Sequence, residues 1–303
     1  MNAPVSAPPR QLLTGVLLAG AGAVAFSCKA IIVKLAYRQG VDAVTTIMYR
    51  MLFALPLFLA LSWWAGRGKT APSARDWRTL SGLGFCGYYL ASFLDFAGLQ
   101  YIGANLERLI LYLNPTIVLL AGKLLFKTEV TRRQWLALSV SYVGVLLVFA
   151  HDVRAGPDVT LGAALVFGSA LSYAIYLVYS GEAVRRLGAL RVTGLATSIA
   201  CVLCIAQFFI LKPPSAMLVA PEVLWLSVLN AALCTFVPVL MVMMALERIG
   251  AGITAQIGMI GPISTIVLSM LVLGEPFNAW MAAGTVLVFT GVWVLAKRSR
   301  SID

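Results

Sequence analysis

Among the charged residues inside long apolar stretches of this sequence are Lys29, Arg50, Asp95, Glu107 and Arg108. A charge near the centre of a bilayer costs a few kcal/mol, so each of them needs a partner, a wet cavity or a route to the headgroups. Asp95 and Glu107 are carboxyls that could carry a proton. Lys29 and Arg50 lie deeper, and pairing either with Asp95 or Glu107 would build an outer gate. Glu107 and Arg108 sit nearer the end of their stretch, where snorkelling to the headgroups is an equal alternative. Other chemistries find no residues. His151 is the single histidine, which excludes a multi-histidine metal site. Neither an HExxH nor a Ser–His couple nor a phosphate-binding GxxxxGK[ST] occurs. Cys201 and Cys204 form a CxxC inside an apolar run, which reads as packing rather than redox or metal work. No catalytic residue, metal or cofactor is expected.

Uncharged polar residues recur at helical spacing in the same stretches. Tyr88, Ser92 and Asp95 form one stripe, and Ser172 and Tyr176 belong to another. Asn105, Arg108, Tyr112 and Thr116 follow at i, i+3, i+7 and i+11, on one side of a continuous helix. Asn230 and Gln256 add two amides. Serine and threonine alone are better read as helix–helix glue. Tyrosines near the midplane are not explained by the interfacial aromatic belt, which most of the seven tryptophans fit. An amphipathic zwitterion needs a cation for its carboxylate, acceptors for its ammonium and an apolar wall. Arg108, a backbone carbonyl and Tyr112 would supply these in that order, with Tyr88 and Tyr176 extending the wall.

The elements that hold these residues follow from composition. Of 303 residues, 60% are apolar and 12% charged, with a mean hydropathy of +0.91. No soluble fold of this size hides so much apolar surface. Ten runs of membrane length are predicted, at about 12–36, 44–65, 77–99, 103–126, 133–150, 159–181, 191–211, 221–246, 250–273 and 278–296. Residues 1–11 read as a disordered tail, residues 12–152 and 153–297 as two five-helix units, and 298–303 as a cytoplasmic tail. The first run continues past Ala23 to Ala36, which argues against a cleaved signal peptide. With the N-terminus inside, the inner loops and tails carry fifteen Lys and Arg against three, Arg38, Arg154 and Lys212, outside. That bias predicts both termini in the cytoplasm. It also accounts for the net charge of +11, in place of a nucleic-acid partner.

The two halves match at an offset of 147 residues. Gly15 meets Gly162, the run Ile102–Gly103–Ala104 meets Ile249–Gly250–Ala251, and Pro115 meets Pro262. Gly144–Val145 meets Gly291–Val292. A unit of five spans is odd, so its second copy must insert upside down. Inverted repeats around a midplane site are the architecture of secondary transporters. Pro115 and Pro262 each remove one backbone donor and free a carbonyl four residues earlier, at Leu111 and Gly258. A freed carbonyl in lipid must be satisfied by protein or water, so the pair is expected to form hinges beside a cavity.

The pattern Tyr101–Ile102–Gly103–Ala104, Pro115, Glu129 and its echo Arg248–Ile249–Gly250–Ala251, Pro262, Gly274–Glu275–Pro276 resembles the drug/metabolite transporter superfamily. It is most similar to the EamA-type ten-span transporters, and among these to the YddG-type amino-acid exporters. The resemblance implies an all-α membrane protein of ten helices in two inverted repeats around a central cavity. It also implies export of metabolites or drugs by alternating access. Thr128 stands where relatives have glycine, and Asn105, Glu107 and Arg108 put polar groups where they have small apolar residues. The expectation is a monomeric secondary transporter of the inner membrane, in contact with lipid and a small-molecule substrate, amino acids being the first choice. Efflux of drugs or organic cations is the rival, and would want a carboxylate alone in the cavity. A membrane-embedded enzyme and a passive channel are the remaining readings.

Overall fold

A computed structural model describes residues 9–126, 131–152, 156, 158–258 and 260–296. The described residues are helical throughout their ordered elements. Helix α1 (Pro9–Arg38) includes residues of the expected tail. Then come α2 (Ala43–Gly66), α3 (Ala74–Gly84) and α4 (Ala91–Leu99). Asp42 caps α2 through the Thr45 amide, and Ser73 and Asp76 form a reciprocal capping box on α3. Helices α5 (Ala104–Leu111), α6 (Asn114–Phe126) and α7 (Arg132–Asp152) complete the first half. The second half holds α8 (Val159–Leu187), α9 (Ala189–Leu211), α10 (Pro221–Ala231), α11 (Val237–Gly258), α12 (Ile260–Leu268) and α13 (Ala279–Ala296).

Among the described residues six helices are long and apolar enough to cross a bilayer, beginning at Leu12, Ala43, Gln134, Val159, Ala189 and Pro221. Three of the remaining predicted spans are interrupted or shortened. The run 103–126 is split between α5 and α6, because Asn114–Pro115 stops the first helix at Leu111 and starts a new one. Asn105 and Arg108 therefore belong to one helix and Thr116 to the next, so the single continuous stripe drawn through them is not formed. The break expected near 247–249 is absent: α11 continues through it, since glycines 250 and 252 weaken a helix without ending it. Residue 259, the termini, residues 127–130 with Thr128 and Glu129, and the junction residues 153–155 and 157 lie outside the described residues, as do the side chains of Pro115, Pro262 and Gln256.

Three π-helical turns among the described residues were not anticipated: one, Ser269–Leu273, follows α12, and the other two are related by the repeat. Phe85–Leu90 joins α3 to α4, and Ala232–Phe236 joins α10 to α11. An offset of 147 carries one onto the other. Helix pairing follows the same offset. Helix α1 packs on α11 and α8 packs on α4, while α2 pairs with α9 and α7 with α13. Close approach in the last pair requires glycine. A β-carbon at Gly144 would stand 2.7 Å from the Gly284 carbonyl, and one at Gly284 would stand 2.6 Å from the Gly144 carbonyl. Cys201 and Cys204 are buried in the core with Ile47, Phe58 and Phe96, as packing residues. All seven tryptophans are exposed, together with long rows of Leu, Ile and Val, a surface suited to lipid rather than water.

Candidate functional site

The charges of the first half converge on α1, α4 and α5. Lys29 Nζ binds Asp95 Oδ2 and lies 3.3 Å from Glu107 Oε1. Both carboxyls are buried, and the Glu107 side chain is 0% exposed, so Glu107 does not snorkel. Lys29 is thus the shared partner of the two acids. Arg50 instead donates from Nε to Thr235 Oγ1 at 3.0 Å and covers the Phe96 ring at 5.1 Å. Thr235 in turn donates to the Asn230 carbonyl across the π turn, at 2.8 Å.

Arg108, the next residue of α5, has other partners. Its Nε donates to Thr265 Oγ1 at 3.0 Å and its Nη2 to the Phe26 carbonyl at 3.2 Å. Glu107 Oε2 lies 4.0 Å from that Nε. Asn105 accepts from the Ser269 hydroxyl at 2.6 Å through its side chain. The Glu275 carboxylate caps α5, accepting from the amides of Ala104 at 2.9 Å and Asn105 at 3.3 Å. Gly274, at φ 68°, supplies the left-handed turn that aims Glu275 there. A cleft of about 290 Å³ opens further along α1, lined by Lys34, Tyr37, Arg38, Gln100, Leu273 and Glu275.

Past the helix break, the Tyr112 hydroxyl donates to the Gly258 carbonyl at 3.2 Å, and its ring packs on Phe289 at 5.6 Å. Gly258 O is one of the two carbonyls freed by a proline; Leu111 O, adjoining Tyr112, is the other. The break between α5 and α6 and the Gly258 carbonyl therefore meet at one tyrosine. Thr116 is fully buried and donates to the Leu113 carbonyl at 2.6 Å, so it stabilises the break and lines no open space.

The remaining residues gather around the first π turn. Tyr88 and Tyr176 join hydroxyls at 3.1 Å with rings 5.1 Å apart, and Tyr173 stacks on Tyr176 at 5.5 Å. Ser172 donates to the Cys86 carbonyl at 2.8 Å, satisfying backbone in that turn. Ser92 is half-buried on α4, and Asn230 is 1% exposed. Sequence reasoning did not single out Thr235, Thr265 or Ser269. Lone hydroxyls in apolar helices carry no signal of their own, and they matter here because they face Arg50, Arg108 and Asn105.

The EamA-like transporter family matches the chain twice, over residues 13–150 and 160–297. The chain belongs to the EamA-like transporter family. An uncharacterised transporter of Bacillus subtilis (strain 168), YcbK, is 27% identical over 297 residues, covering 95% of each chain. A second from the same organism, YyaM, is 27% identical over 215 residues, covering 69% of this chain and 70% of its own. A crystal structure at 16% identity superposes with a TM-score of 0.60 over 96% of this chain and 99% of its own, a likeness of fold alone. This EamA-like chain, in the drug/metabolite transporter superfamily, is a multi-pass membrane transporter with a duplicated fold.

Proposed function

We propose that this EamA-like chain is a secondary transporter of the inner membrane that exports small amphipathic metabolites, amino acids first, by alternating access. Ten passages with inverted halves and both termini in the cytoplasm complete the reading. The observation that carries it is the Tyr112–Gly258 hydrogen bond, which joins the break of the first half to the carbonyl that the equivalent proline frees in the second. In lipid such carbonyls must always have a donor. A bond between two moving halves can be exchanged for a bond to a substrate ammonium without leaving either carbonyl bare.

Arg108 stands one turn before Tyr112 and offers a cation for the carboxylate of the same substrate. The Tyr112 and Phe289 rings form an apolar surface for its side chain. Efflux of organic cations is less well supported, because Asp95 and Glu107 are both engaged by Lys29. The test is saturable uptake of labelled amino acids in liposomes. Arg108→Ala should raise the half-saturating concentration at least several-fold for amino acids and leave affinity for their decarboxylated amines little changed. Equal loss for both would remove Arg108 from carboxylate recognition.

A further inference from the structure

The buried acids are short of donors. Among the described residues, Glu107 Oε1 and Oε2 and Asp95 Oδ1 have no hydrogen-bond partner, although each is sealed from solvent. An ionised carboxylate left so is among the costliest arrangements a protein interior can hold. Lys29 directs its hydrogen bond to Asp95 Oδ2, and it stands beside Glu107 without hydrogen-bonding it. Arg108 and Arg50 hydrogen-bond Thr265, the Phe26 carbonyl and Thr235, and among the described residues neither hydrogen-bonds the two acids. Glu107 and Asp95 both converge on the Lys29 ammonium.

We propose that Asp95 and Glu107 are a proton-binding pair that shares one proton under the charge of Lys29, and that binding and release of this proton is coupled to transport. A proton taken from water onto Glu107 neutralises the deeper acid and gives it an O–H to donate to the bare Asp95 Oδ1. Two orphaned groups are then satisfied by one ion. Release to water on the other side of the membrane restores two carboxylates around a single lysine. The charged and titratable groups facing the pair are Lys29, Lys34 and Tyr37 from α1, Arg50 from α2 and Arg108 from α5.

The fold itself does not require these charges. At an offset of 147 residues, Lys29, Arg50, Asp95, Glu107 and Arg108 meet Tyr176, Thr197, Val242, Thr254 and Ala255. A scaffold built twice from one plan, but charged in one copy, points to a role that only one side of the membrane needs.

The coupling rests on the transporter reading; the proton site does not. Infrared spectroscopy of the reconstituted wild type at neutral pH should show the C=O stretch of a buried protonated carboxyl that shifts in deuterated water. Glu107→Gln should abolish it, and Glu107→Asp should keep it at a shifted position, which separates loss of the acid from loss of folding. Uptake against a gradient, driven by an imposed pH difference across the liposome, should be lost in Glu107→Gln. No such band in the wild type overturns the proton site, and uptake indifferent to the pH difference overturns the coupling. Counterflow at equal pH reads carrier activity separately. Its absence would defeat the transporter reading, while the infrared band would still decide the pair.

Discussion

The Tyr112 hydroxyl and the Gly258 carbonyl, 146 residues apart in sequence, share a hydrogen bond of 3.2 Å. It ties the break between α5 and α6 to Gly258, the residue whose carbonyl the second proline frees. Tyr112→Phe keeps the ring against Phe289 and removes only the donor. A bond of this kind is worth about 1 kcal/mol. A several-fold change in saturable flux is expected, with the folded fraction in detergent unchanged. Flux identical to wild type would mean that the carbonyl is satisfied without the tyrosine.

Glu275 makes a second link between the halves, as the cap of α5. Glu275→Ala should lower thermal stability by about 1 kcal/mol, the usual worth of a helix N-cap. Glu275→Gln, which keeps one acceptor oxygen, should lose less. Gly103→Ala tests the same contact from the other side, because its new β-carbon would stand 3.1 Å from Glu275 Oε2. Equal melting temperatures for all three variants would contradict the cap.

The α7–α13 contact depends on the absence of side chains. Gly284→Val should force the two helices apart at Gly144, costing about 1–3 kcal/mol as overpacking does. Thermal unfolding in detergent reads this. An unchanged midpoint would mean that the helices do not approach as closely as 2.6 Å between a β-carbon and a carbonyl requires.

Outside the spans, Asp42 binds Lys212 and so clips the α1–α2 turn to the end of α9. Partial burial pushes the Asp42 carboxyl up, but the Lys212 ammonium and the Thr45 amide outweigh it and hold the carboxyl below its ordinary value. A group held low stabilises the fold above its unfolded-state value and loses that contribution as pH falls through its own lower one. Asp42→Asn should therefore be less stable than wild type at neutral pH and converge with it in strong acid. Solvent screening keeps the difference within about 1 kcal/mol. A constant difference from neutral to acid pH would assign the effect to the Thr45 cap instead.

Much of this was legible in the sequence, and the limits have physical causes. Apolar run length located α1, α2, α7, α8 and α9, because burial of about 20 residues in lipid leaves little freedom. Pro115 announced the break between α5 and α6, since a missing N–H cannot be compensated within the helix. The partner of Lys29 could not be chosen in advance: Asp95 and Glu107 lie on different helices, and which one faces Lys29 depends on rotations that periodicity does not set. The π turns at 85–90 and 232–236 carry no residue signature, only an extra residue per turn. Thr235, which takes Arg50 away from the acids, was hidden for the same reason.

The central claim is that this EamA-like chain is a carrier for small amphipathic metabolites, and counterflow tests it most directly. Purified protein in liposomes preloaded with an unlabelled amino acid, diluted into trace labelled amino acid at equal pH, should accumulate label transiently above its equilibrium level. The overshoot should be abolished when the liposomes are not preloaded. Uptake that rises only to equilibrium, or scales linearly with concentration without saturating, would contradict a carrier and favour a channel. An overshoot with organic cations but with no amino acid of the panel would keep the carrier and reject its proposed substrate.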